Sequence, residues 1–242
     1  MLFNEKAQSK AMKTLGMIGG VGPESTIDYY KNIIALYRER QRDGSYPQFV
    51  INSIDLKRGI DFMNANDLAG MAGFLLEEIE KLPRAGADFG LIAANTPHIV
   101  FDDIAPKSPI PLISIVEATC AYAKAHKMRR LALFGTRYTM QADFYPTVFA
   151  REGIELSVPE SEDQDYIHEK YFSELVPGNF LPETRAGLLA IVDRLKAKID
   201  INGVILAGTE IPLILRDESH NGVALLDTGK IHCQTAVNEM LK

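Results

Sequence analysis

Four loops that follow short apolar runs hold the residues that could do chemistry. The first covers residues 19–26 and reads Gly-Gly-Val-Gly-Pro-Glu-Ser-Thr. Glycines let backbone N–H groups approach an anion, and a helix start adds partial positive charge, so this loop could hold a carboxylate or a phosphate. Its candidate ligand-binding residues are Gly20, Gly22, Glu24 and Ser25. A tight turn between a strand and a helix, without a ligand, explains the same residues.

The same loop does not match the common nucleotide-binding motifs. A dinucleotide fingerprint needs a third glycine where the chain has Ser25, and Pro23 removes a helix N–H that would serve a pyrophosphate. No Gly-Lys-Ser/Thr sequence of a P-loop occurs. The sequence therefore indicates no nucleotide cofactor, and an NAD-dependent oxidoreductase is a remote alternative.

Two further loops read Ala-Ala-Asn-Thr-Pro-His and Ala-Gly-Thr-Glu-Ile-Pro. Thr96 and Thr209 could each cap a helix, which is the simpler interpretation, or bind a ligand carboxylate. His98 could act as a base, although a histidine one residue into a helix is more often a surface or supporting group. Glu210 could be an acid or a base, or a carboxylate stabilised by the dipole of its own helix.

The fourth loop reads Gly-Thr-Arg-Tyr-Thr, with Arg137 between Thr136 and Thr139. An arginine beside hydroxyl groups can hold a carboxylate through charge-assisted hydrogen bonds, and a solvated arginine is the alternative. The mixed-charge helix predicted over residues 163–170, which contains Tyr166, is a candidate lid or an exposed face.

Short apolar strands alternate with helices and must position these loops. Helices are predicted over residues 23–40 and 67–84, at Thr96-Pro97 and after the Ser114 capping box. Strands are predicted over residues 14–20, 49–54, 89–93, around 112, 131–134 and 204–207. This alternation predicts an α/β fold with parallel sheets. Similarity of KTLGMIGG to RLALFGT, and of FGLIAANTP to NGVILAGTE, indicates two similar lobes with a cleft between them.

Composition excludes several other classes of protein. The chain has 242 residues, 26 basic and 32 acidic side chains and a net charge of −6, without a basic stretch for nucleic acid. Its two cysteines form no metal-ligand pattern, and we expect no metal site. No apolar stretch is long enough for a membrane helix or an export signal. We therefore expect a cytoplasmic protein with a small-molecule partner.

Six stretches of the chain together resemble one enzyme family. They read GMIGGVGPESTIDYY, RAGADFGLIAANTPH, PLISIVEAT, LFGTRYTMQADFY, GTEIPLIL and DTGKIH, and in order and spacing they are similar to the cofactor-independent aspartate/glutamate racemases. The resemblance implies two α/β lobes with pseudo-twofold symmetry, one of residues 12–112 plus 216–242 and one of residues 113–215. It also implies an inter-lobe site for a small amino acid or dicarboxylate, no cofactor, and a homodimer.

Typical members of that family use two cysteines, which remove an α-proton on one face of the substrate and return one on the other. In this chain Ala94 and Gly208 stand at those two positions. Glu210 and His98 are the candidate catalytic substitutes, and burial would raise the pKa of Glu210 toward the working range. The motifs imply these substrate-binding residues: Gly20, Gly22, Glu24, Ser25, Asn95, Thr96, Thr136, Thr139, Tyr166 and Thr209.

Three functions stay open at this point. The chain could be a racemase in which Glu210, His98 or Tyr166 replaces the thiols. It could be a lyase, decarboxylase or isomerase that needs chemistry on one face only. It could also bind an amino acid or dicarboxylate without turnover.

Overall fold

The computed structural model describes residues 12–242 and confirms the predicted α/β class. The strands are β1 (Leu15–Gly19), β2 (Phe49–Ser53), β3 (Phe89–Ile92), β4 (Leu112–Ile113), β5 (Arg130–Gly135), β6 (Glu155–Ser157), β7 (Gly203–Ala207), β8 (Ser219–His220) and β9 (Val223–Asp227). The helices are α1 (Pro23–Arg40), α2 (Leu56–Asn64), α3 (Leu68–Ile79), α4 (Lys81–Arg84), α5 (Phe101–Ile104), α6 (Ile115–Ala125), α7 (Arg137–Gln141), α8 (Phe144–Arg151), α9 (Ser161–Lys170), α10 (Pro182–Ile199), α11 (Ile211–Ile214) and α12 (Thr228–Met240).

The first sheet has the strand order β2-β1-β3-β4, and its pairs are all parallel. All five residues of β1 are buried because helices cover both faces of the sheet. Met17 packs toward α1 and α12 on one face, whereas Ile18 packs toward α3 on the other.

The second sheet has the order β6-β5-β7-β9-β8, parallel except for the antiparallel β8–β9 pair. One face carries Phe134 and Leu206 against α9 and α10, and the other carries Leu133 and Ile205 against α6 and α8. Without β8 this order repeats that of the first sheet. The predicted similarity of the two halves is confirmed in this sense: β1 and β5, and likewise β3 and β7, hold equivalent central positions.

The last helix returns to the first lobe. Residues Cys233, Ala236 and Val237 of α12 pack into the core beneath α1. The division of the chain at residues 215 and 216 stays a prediction, but β9 pairs with β7, so the chain leaves the second sheet only after Asp227.

One predicted helix is divided in the structure. The pattern over residues 67–84 forms α3 and the short α4, because Pro83 has no N–H to donate to the carbonyl of Ile79.

Within residues 12–242, no helix is long and apolar enough to cross a membrane.

Candidate functional site

The loops at the carboxyl ends of the strands meet in a cavity of about 70 Å³ between the two lobes. Ligands of open α/β sheets bind at this end of the strands. From the first lobe the cavity is lined by Val21, Gly22, Leu56, Gly59, Ile60, Met71, Ala94, Asn95, Thr96 and Pro97. From the second lobe it is lined by Thr136, Tyr171, Phe172, Val176, Gly208 and Glu210.

Ala94 and Gly208, the positions that hold thiols in typical racemases, both line this cavity. The space beside Gly208 is filled, because a Cβ atom there would lie 2.5 Å from Cε2 of Tyr171. Neither thiol of the chain replaces those groups. Cys120 and Cys233 are buried outside the cavity, and burial raises the pKa of each, that of Cys120 to about 11.

Glu210 is fully buried between the strand end of β7 and α11. Its Oε2 accepts hydrogen bonds from the Tyr171 hydroxyl and from Thr209 Oγ1, the latter at 3.2 Å. Its Oε1 has no hydrogen-bond partner among the residues that the structure describes. Burial raises the pKa of Glu210 above the usual glutamate value, and the bonds from Tyr171 and Thr209 offset only part of this effect.

Gly22 of the first loop faces this carboxyl group across the cleft. A Cβ atom at Gly22, whose φ is 103°, would overlap Glu210 Oε1. The glycine is therefore required by contact with Glu210 as well as by backbone conformation. Two residues earlier in the same loop, the N–H of Gly20 donates to Thr26 Oγ1 at 2.8 Å.

Three threonine hydroxyls join the lobes at the cavity wall. Thr96 Oγ1 lies 3.0 Å from both Thr136 Oγ1 and Thr139 Oγ1, which are 3.2 Å apart. The prediction that Thr96 caps its helix is wrong: its hydroxyl contacts the second lobe, and the 3-10 turn Thr96–Val100 begins without a side-chain cap. Thr136 does cap α7, accepting from Thr139 N.

Asn95 connects three parts of the molecule from a buried position in the cavity wall. Its Oδ1 accepts from the Tyr145 hydroxyl of α8 at 2.6 Å, and its Nδ2 donates to Thr228 Oγ1 of α12 at 3.1 Å. These bonds fix the loop that carries Ala94.

His98 lies outside the cavity lining with both ring nitrogens engaged. Nδ1 donates to the Ala94 carbonyl at 2.9 Å, so Nε2 is the acceptor of the Ile115 N–H at 3.2 Å. Burial, with His232 nearby, lowers the pKa of His98 to about 3. The neutral ring therefore supports the two loops, and no nitrogen is directed at the cavity.

Four other predicted site residues lie behind or away from the cavity. Ser25 Oγ donates to the Ala93 carbonyl at 3.2 Å, and Thr209 supports Glu210 as described. Glu24 lines a separate groove along α1. The Tyr166 hydroxyl packs against Gly187 of α10.

Sequence reasoning missed the contribution of Tyr171, Phe172 and Val176 to the cavity lining. Tyr171 and Phe172 belong to the π-helical turn Tyr171–Leu175 that directly follows α9, and Val176 comes directly after that turn. The available signal was the adjacent pair of aromatic residues at the end of the helix proposed as a lid.

A larger groove of about 880 Å³ runs along α1 and the start of α12. Asp28, Asp227, Lys31 and Arg216 are among its lining residues, whereas Glu210, Ala94 and Gly208 are absent from it. The smaller cavity is the candidate active site because the strand-end loops of both lobes form it.

Comparison with known proteins agrees with this architecture. The family model described as Asp/Glu/Hydantoin racemase matches residues 18–236. The chain belongs to this racemase family. A solved aspartate racemase homologue from Pyrococcus horikoshii OT3 is 34% identical, with a TM-score of 0.81, over 96% of this chain and 100% of that one. A solved putative Asp/Glu racemase from Yersinia pestis is 29% identical, with a TM-score of 0.84 and the same coverage.

A broad-specificity amino-acid racemase, RacX of Bacillus subtilis (strain 168), is 23% identical over 94% of this chain and 98% of its own length. Membership of the racemase family and these relatives support a cofactor-independent enzyme of the isomerase class, as the sequence resemblance implied. The homodimer and the cytoplasmic location stay predictions.

Proposed function

We propose that the chain binds a small amino acid or a related carboxylic acid in the inter-lobe cavity and moves its α-proton by means of Glu210. The observation that carries this proposal is the buried Glu210 carboxyl group, which lines the cavity with one oxygen unpartnered among the described residues. Perturbed carboxyl groups in a cleft are typical of acid–base sites.

The surroundings of Glu210 suit it to proton transfer. Tyr171 and Thr209 hold Oε2, which leaves Oε1 to accept the α-proton and return it. A raised pKa makes the carboxylate a stronger base than an exposed glutamate. The hydroxyls of Thr96 and Thr136 and the Asn95 amide lie in the same wall and supply candidate contacts for the substrate carboxylate.

The proposed chemistry takes place on one face of the α-carbon. On the first-lobe side the thiol position carries the methyl group of Ala94, and none of the described lining residues there is titratable. His98 is held by its bonds to the Ala94 carbonyl and the Ile115 N–H. A proton removed by Glu210 therefore returns mostly from Glu210, and we expect α-proton exchange to exceed inversion of configuration.

The test is exchange of the α-proton in D2O with L- and D-amino acids, followed by ¹H NMR and by chiral chromatography. We expect the wild-type protein to exchange at least tenfold faster than it inverts. E210Q should reduce exchange by about 10²- to 10⁴-fold, the usual contribution of a general acid–base group. E77Q, at an exposed position on α3, is the matched control and should exchange at the wild-type rate.

The pH profile adds an independent measurement. Exchange should increase with pH as the Glu210 carboxyl ionises, with a midpoint above the ordinary value of 4.5. Inversion as fast as exchange would overturn one-face transfer, and wild-type exchange that survives in E210Q would overturn the role of Glu210. Absence of exchange with every compound would overturn the enzymatic function.

A further inference from the structure

We infer that the side chain of the substrate is short and apolar, so that the ligand is a neutral amino acid near alanine in size and not a dicarboxylate. This inference rests on the proposed function of the inter-lobe cavity. It follows from the charge, the lining and the volume of that cavity.

The cavity offers no positive partner for a second carboxylate. Among the described residues that line it, Glu210 is the one with an acidic side chain and none is basic. The side-chain carboxylate of aspartate or glutamate would enter an apolar space beside a buried group of its own sign. A buried charge needs an opposite charge or several hydrogen bonds, so this arrangement disfavours it.

The basic residues on the bordering elements are engaged elsewhere. Lys57 of α2 pairs with Asp61 at 2.6 Å, and the guanidinium of Arg58 lies 4.1 Å from the centre of the Phe74 ring. Arg137, for which the sequence left open a carboxylate ligand or a solvated side chain, pairs with Asp165 at 2.6 Å outside the cavity.

Lys170, at the end of α9, pairs with Glu174 at 2.6 Å. None of these four basic side chains lines the cavity. Recognition of a dicarboxylate would therefore require a cation to leave its present partner.

Apolar side chains from both lobes form the remainder of the lining. Leu56, Ile60 and Met71 project from α2 and α3, and Phe172 and Val176 face them from the second lobe. Apolar walls favour an apolar group because both lose water on contact. The α-carboxylate has separate polar partners in the threonine and asparagine side chains.

The cavity is small as well as apolar. At about 70 Å³ it has roughly half the volume of an apolar cavity of about 150 Å³ that binds benzene. A small volume favours the smallest amino acids, such as alanine and 2-aminobutyrate, over the larger glutamate.

The experiment compares L-alanine and L-2-aminobutyrate with L-aspartate and L-glutamate by two readouts, α-proton exchange and the ligand-induced rise in melting temperature. We expect kcat/KM for exchange to be at least tenfold higher for the neutral compounds. We also expect them to raise the melting temperature more than the dicarboxylates at equal concentration, because a ligand of the native state stabilises it by mass action.

Two variants at Ile60, a half-buried position on the cavity wall, test the charge argument directly. I60R introduces a cation and should shift the preference at least tenfold toward aspartate or glutamate. I60M keeps an apolar wall and should retain the wild-type preference. If I60R does not fold, the wild-type panel alone decides.

The outcomes separate this inference from the proposed function. Faster exchange of aspartate or glutamate than of the neutral compounds would overturn the inference and leave the proposed function intact. A larger thermal shift with neutral amino acids, but no exchange of any compound, would support the inference and overturn the proposed function. Absence of both responses for all four compounds would overturn both.

Discussion

At the scale of single residues, Gly208 and Tyr171 are linked by the space that they share. The Tyr171 ring occupies the volume in which a side chain at position 208 would begin, and its hydroxyl reaches Glu210. A second neighbour, Ile211 Cδ1, would lie 3.2 Å from the same Cβ atom. The side chain that fills the space beside Gly208 is therefore also the one that holds the Glu210 carboxyl group.

This linkage predicts that a cysteine restored at position 208 does not fit. We expect G208C to destabilise the protein by about 1–3 kcal/mol, the usual cost of overpacking. Y171A should cost about 3–5 kcal/mol because it leaves a cavity. The double variant G208C/Y171A should lose less free energy of unfolding than the two single variants together. We expect the difference to be at least about 1 kcal/mol, because the thiol fills space that the ring leaves.

Urea denaturation of the four proteins measures this coupling. G73A is the matched control, because Gly73 is exposed on α3 with open space around it and an alanine there stabilises a helix by roughly 0.5–1 kcal/mol. Additive costs for G208C and Y171A, within about 0.5 kcal/mol, would show that the two residues do not compete for space.

At the scale of secondary-structure elements, local signals account for what the sequence predicted correctly. The apolar run of β1 and the proline that opens α1 are both local, as is the Ser114 cap, whose Oγ accepts from Glu117 N at 3.3 Å. Helix α2 was missed, although Asp55 caps it by accepting from Lys57 N.

The candidate site was predictable in part for the same reason. Gly22, Ala94 and Glu210 lie in short motifs and were predicted from them. The pairing of Tyr171 with Glu210 joins residues 39 positions apart, and the engagement of both His98 nitrogens depends on Ile115 from another helix. Contacts between distant segments leave no local pattern, so they required the structure.

Helix α12 gives a prediction for acid stability at this scale. His232 is buried where α12 meets the first lobe: Nε2 donates to the Ile113 carbonyl at 3.0 Å, and Nδ1 accepts from the Tyr29 hydroxyl at 2.9 Å. Burial lowers the pKa of His232 from 6.5 to about 4. The unfolded chain therefore takes up this proton first, and the free energy of unfolding should fall as pH decreases from 6.5 to 4.

The lowered pKa of His232 corresponds to about 3 kcal/mol of stability lost across that range. H232Q should show a correspondingly flatter decrease, although it starts from a lower stability at neutral pH. The measurement is urea denaturation at pH steps from 7 to 4, with H126Q at an exposed position as the control. If the free energy of unfolding of H232Q decreased as much between pH 7 and 4 as that of the wild type, His232 would not be the source of the acid sensitivity.

At the scale of the whole molecule, two sheets that share the order of four strands meet at their loop ends and are joined by polar contacts. The threonine cluster of Thr96, Thr136 and Thr139 is one such junction, and Asn95 is another. The candidate site lies at both junctions, so a ligand there contacts the two lobes together. Groups that position the substrate should therefore also stabilise the assembly of the lobes.

Y145F tests that connection. The Tyr145 hydroxyl is the donor to Asn95 Oδ1, and both side chains are buried, so the variant leaves an acceptor without its partner. We expect the free energy of unfolding to fall by about 1–3 kcal/mol. Y46F, at a tyrosine that is 57% exposed, should change it by less than about 0.5 kcal/mol. Because Asn95 lies in the cavity wall, Y145F should also reduce the rise in melting temperature that a bound amino acid causes. An equal rise in Y145F and Y46F would show that the bond between Tyr145 and Asn95 stabilises the lobes without contributing to ligand binding.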